Sequence, residues 1–73
     1  MKHQIFKVLD LHYIHIDDKH RLCPLADFLT LHSEVDVLEV RYNPQIEQGV
    51  VIVRTDTEER LEKLIDFFKK MML

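Results

Sequence analysis

The side chains of this chain best able to do chemistry are His12, His15, His20 and Cys23, in the spacing H-x2-H-x4-H-x2-C. Imidazole and thiolate are the usual zinc donors. Two histidines three residues apart on a strand point to opposite faces. A shared site would therefore use His15, His20 and Cys23, with a fourth ligand from elsewhere or from a partner chain. The pair Cys23-Pro24 suggests a second chemistry. Proline suits the first helical position, where its missing N–H costs nothing, and this makes Cys23 the N-cap. A thiol there meets unpaired N–H groups and the positive end of the helix dipole, which favour thiolate. His20 and Arg21 would strengthen that effect. Beside both readings stands a plain one, in which Cys23 packs as a small hydrophobe and the histidines are solvated surface groups.

Other chemistries lack their residues. Asp17 and Asp18 are adjacent in a polar turn, which does not make a shared-proton pair. Ser33 is the only serine and has no nucleophile-elbow motif around it. One glycine cannot build a phosphate loop, and the absence of Trp leaves no stacking platform for bases. The net charge is −3, with ten basic residues spread among thirteen acidic ones, which speaks against nucleic acid. No enzyme and no cofactor are expected. No segment approaches the ~20 apolar residues that cross a bilayer, so no membrane role is expected. The interrupted apolar character of the N-terminus and the lone thiol predict a reducing cytoplasm.

The elements follow from periodicity. Residues 5–16, IFKVLDLHYIHI, read as one strand, and the slip in its alternation is explained by burial of both faces or by a bulge near Tyr13. A helix with Pro24 at its first position is expected to fade near His32-Ser33; Leu22, Leu25, Ala26 and Leu29 recur at helical spacing, and Phe28 and Leu31 widen the stripe. Residues 35–42 alternate as a half-exposed strand. Gly49 follows the Asn43-Pro44 turn and is expected to supply a backbone angle that other residues resist. Residues 50–53, VVIV, read as an interior strand. The last helix opens on a capping box at Thr55/Glu58 or Asp56/Glu59 and carries Leu61, Leu64, Ile65, Phe68 and Met72 on one stripe. Phe67 and Met71, with Leu73 at the terminus, broaden that stripe. No internal repeat or linker is read, so residues 1–73 form a single domain.

The order β-α-β-β-α predicts an α+β fold: a three-stranded antiparallel sheet with both helices on one face. It is similar to the ferredoxin-like plait lacking its last strand. The chain also resembles small uncharacterised bacterial β-α-β-β-α domains, through the Asp turn and the hairpin segment Arg41-Tyr42-Asn43-Pro44. That resemblance implies no activity. Locally, LCPLADFLTL resembles the Cys-Pro segment of the persulfide sulfur-carrier family, in which the cysteine carries the persulfide. The resemblance implies Cys23 alone as carrier, and the chain departs from that family in lacking the glycine before the cysteine and the second proline after it.

A core this small is marginal and has no disulfide to help it. Losing a fourth strand would leave strand one as an open apolar edge, and such edges pair with other chains. The expected function is therefore a non-enzymatic regulatory or adaptor protein that forms a homodimer and binds a protein partner. Its expected interface residues are Leu9, Leu11, Tyr13, Phe67 and Met71. The alternatives are a thiol carrier using Cys23 and a metal-binding module using His15, His20 and Cys23.

Overall fold

The computed structural model describes residues 1–72. The element order is β1 (His3–Val8), β2 (Leu11–Ile16), α1 (Lys19–Thr30), β3 (Val35–Asn43), β4 (Gln48–Thr55) and α2 (Glu58–Met71). The four strands form one antiparallel sheet in the order β1-β2-β4-β3. This corrects the expected three-stranded plait. The fold is two successive ββα units whose second strands lie side by side at the centre of the sheet.

The missing strand was hidden inside residues 5–16. Leu9 and Asp10 are a two-residue turn, with Val8 opposite Leu11 and Leu9 at φ 58°. A two-residue loop moves the inward-facing positions from odd to even. His3 and Ile5 face the helices before the turn; His12, Ile14 and Ile16 face them after it. The slip in alternation came from this turn and not from a bulge.

Helix α1 starts earlier than its proline suggests. Asp18 is the N-cap and accepts the His20 backbone N–H at 2.9 Å. Pro24 therefore sits inside the helix, where its ring nitrogen cannot donate to the His20 carbonyl. Thr57 caps α2, accepting the Arg60 backbone N–H at 3.2 Å, so the cap lies after both expected positions, Thr55 and Asp56.

Gly49 has no positive φ; Glu47 takes that role, at φ 52°. The glycine is needed for space, because a Cβ there would lie 2.6 Å from the Leu22 methyls. Leu22 is itself buried.

The core lies between the sheet and the helices. It joins Ile14, Ile16, Val51 and Val53 with Leu25, Leu29, Leu61, Ile65 and Phe68. The two helices bury matching positions because their sequences match. Arg-Leu-x-x-Leu-x-Asp-Phe occurs at 21–28 and again at 60–67, so the chain does contain an internal repeat. Leu22 corresponds to Leu61, Leu25 to Leu64 and Ala26 to Ile65, and all six are buried. The same offset places Tyr13 on Ile52, and these two residues face each other across β2 and β4. It also places Phe28 on Phe67, and their rings stack 6.1 Å apart. A local two-fold axis thus passes through the sheet at Tyr13/Ile52 and through the helix layer at Phe28/Phe67.

Candidate interaction surfaces

With both helices on one side, no element among the described residues covers the other face of the sheet. Residues opposed across antiparallel strands share a face. The outer face therefore carries Phe6 and Val8 from β1, Leu11, Tyr13 and His15 from β2, and Val50 and Ile52 from β4. Phe6 and Val8 remain 50% and 52% exposed, and Tyr13 and Leu11 are half-buried. The His15 ring meets Phe6 edge-on at 5.2 Å. Ion pairs rim the patch: Arg54 Nε to Asp10 at 3.1 Å, and Arg41 Nε to Glu39 at 2.8 Å. Its hydrogen bond to Arg41 holds the Glu39 carboxyl below its ordinary range, and the same contact raises Arg41.

The expected interface residues fall into two groups on opposite sides of the molecule. Leu11 and Tyr13 lie on the outer sheet face, on an interior strand and not at an edge. Leu9 is 88% exposed at the β1–β2 turn. Phe67 and Met71 lie on the helix layer, where Phe67 is 57% exposed despite its stacking on Phe28. Leu73, expected in the same strip, is outside the described residues. The open edge of the sheet on this side is β1, the first half of the expected strand one.

The residues expected to do chemistry are dispersed. His15 is on the outer face, whereas His20 and Cys23 are exposed on α1, across the sheet. Among the described residues no three His, Cys, Asp or Glu side chains converge as metal ligands. Cys23 is exposed in the second turn of α1, and Asp18 holds the cap expected for it. Cys23 therefore does not hold the N-cap position expected for it.

Two features escaped the sequence reading. His12 is 2% exposed, and neither ring nitrogen has a hydrogen-bond partner among the described residues. His3 Nε2 meets Glu62 at 3.0 Å, tying β1 to α2. The sign for His12 was its place in the Ile14/Ile16 register, which becomes readable once the turn at Leu9 is recognised.

Among the described residues, no helix is long and apolar enough to cross a membrane. No protein-family model, curated protein or solved structure matches the chain.

Proposed function

We propose that this protein is a small non-enzymatic regulatory or adaptor module that acts by self-association and by binding a protein partner. The observation that carries this reading is the uncovered outer face of the sheet. A two-layer domain buries one face of its sheet under helices and needs only polar residues on the other. Here that other face presents Phe6, Val8, Leu11 and Tyr13 together, ringed by ion pairs. An apolar centre with a polar rim is the anatomy of a protein interface, and Tyr and Phe are its enriched anchors. The small core gives a second reason, since burying this face stabilises a domain with little else to draw on.

The test has two arms. Sedimentation of the native protein should show a dimer whose fraction rises with concentration. A sample that stays monomeric at about 1 mM, where an association worth only ~4 kcal/mol would be visible, removes the self-association part. A photo-crosslinking residue at Val8, introduced in the host cell, should yield a discrete adduct with another protein. Tyr13→Asp should abolish that adduct while leaving the circular dichroism unchanged. Adducts that survive Tyr13→Asp, or none beyond the protein itself, remove the partner-binding part.

A further inference from the structure

We infer that the self-association surface is the free edge of β1, paired antiparallel with β1 of a second copy about a two-fold axis at Ile5. This rests on the self-association part of the reading above and deepens it.

The two edges of the sheet are built differently. β3 carries an irregularity between Val37 and Glu39 and the charged residues Asp36, Glu39 and Arg41. Bulges and charges are the devices by which native sheets block edge pairing. β1 has an unbroken register with β2, no proline and a single charge, Lys7.

The hydrogen-bond pattern shows which backbone groups of β1 are free. Val8 and Leu11 flank a two-residue loop and so form a closely bonded pair; bonded and non-bonded pairs then alternate. Gln4, Phe6 and Val8 point their backbone groups at β2, and the Asp17 N–H to Lys2 carbonyl bond, 3.3 Å, continues the same parity. The N–H and C=O groups of His3, Ile5 and Lys7 therefore face outward.

That pattern selects the register. Opposed residues must share a face, so a two-fold axis perpendicular to the sheet passes through Ile5 or Phe6 and not between them. Centred on Ile5, the pairing uses the outward groups of His3, Ile5 and Lys7 in both copies. Centred on Phe6, it leaves those of His3 outside the paired β1 segments.

Charge agrees with the Ile5 register. Lys7 faces the helix side of the edge strand and makes no ion pair among the described residues. An inward-facing lysine normally defends an edge. In this register Lys7 of the second copy lies opposite His3, whose Nε2 meets Glu62. Its ammonium then has the Glu62 carboxylate within reach, and the defending charge becomes a matching one. The result is an eight-stranded sheet whose two outer apolar faces are continuous.

Charge exchange and cross-linking test this. Lys7→Glu should weaken the dimer about tenfold or more, because it sets two carboxylates together, and Lys7→Glu/Glu62→Lys should restore most of the loss. In a Cys23→Ser background, Ile5→Cys should form an intermolecular disulfide under mild oxidation, since bonded partners lie about 5.5 Å apart at Cα. Val8→Cys, well away from the axis, should not. A dimer indifferent to Lys7→Glu, or Val8→Cys linking as readily as Ile5→Cys, overturns the edge pairing while leaving self-association standing. A wild-type monomer at about 1 mM overturns both.

Discussion

At the scale of single residues, His12 works against the fold that contains it. Its imidazole is enclosed between the sheet and the helix layer with both nitrogens unpaired. A neutral ring must bury at least one N–H, and an unpaired buried donor costs about 1–3 kcal/mol. The internal repeat places Val51 at the equivalent position, so the same site in the other half is filled by a simple hydrophobe. His12→Leu keeps approximate volume and removes the orphaned groups. It should raise stability by about 1–2 kcal/mol, and the melting temperature by about 4–8 °C per kcal/mol. Thermal unfolding followed by circular dichroism checks this; a lower melting temperature would show that the imidazole makes a contribution its surroundings do not reveal. The charged residues of the fold are better satisfied. Glu34 has its carboxyl held below the ordinary value of 4.5 first by its own backbone N–H and then by Arg60. Asp17 is held below 3.8 chiefly by the Lys2 backbone N–H. A depressed carboxyl stabilises the fold above its unfolded pKa and loses that contribution as the pH falls through its folded value. These two groups therefore favour the fold through neutral pH and cease to do so only in acid below those ordinary values.

At the scale of elements, the strained link is the β1–β2 turn. Leu9 holds φ 58°, a region that costs a side-chain-bearing residue about 1–2 kcal/mol and that hairpins normally give to Gly, Asn or Asp. Its side chain is almost wholly exposed, so replacing it sacrifices no packing. Leu9→Asn should gain about 0.5–1 kcal/mol. Urea unfolding would show a higher midpoint with an unchanged slope, whereas an unchanged midpoint would mean that the turn carries no strain. This same residue explains why two strands, β1 and β2, read as one. The signals that announce a hairpin are Gly and Asn in the loop, and Leu9-Asp10 offers neither. What the sequence did carry was the change of parity between Ile5 and Ile14, which a bulge explains equally well until β1 is known to pair with β2. Both helices, β3 and β4 were readable because Leu25, Ala26 and Leu29, the 35–42 alternation and the VVIV run have a single period each. The helix starts moved because Asp18 holds the first cap in place of Cys23, and Thr57 the second in place of Thr55 or Asp56. The proposed chemistry of Cys23 rested on that cap. The outer face was legible only as Leu11 and Tyr13; Phe6 joined them once β1 stood beside β2.

At the scale of the whole molecule, the two ββα units act as one because they share two contacts on the local axis. One is the β2–β4 pairing through Tyr13 and Ile52; the other is the stacking of Phe28 on Phe67. A ββα unit of this size exposes too much of its apolar face to stand alone, and joining a second copy of the pattern through the centre of the sheet closes the core. The helix-layer contact can be measured without breaking the sheet. The rings lie 6.1 Å apart at 21°, a stacked arrangement worth about 0.5–1.5 kcal/mol beyond area burial. Phe28 also touches His32 and Phe68, so Phe28→Ala should cost more than Phe67→Ala. The double variant should cost about 0.5–1.5 kcal/mol less than the sum of the two, which is the coupling between the halves. Denaturant unfolding of the four proteins closes the cycle. Strict additivity would mean that the helix layer transmits nothing between the units, leaving the central strand pair as the sole junction that makes the domain fold in one step.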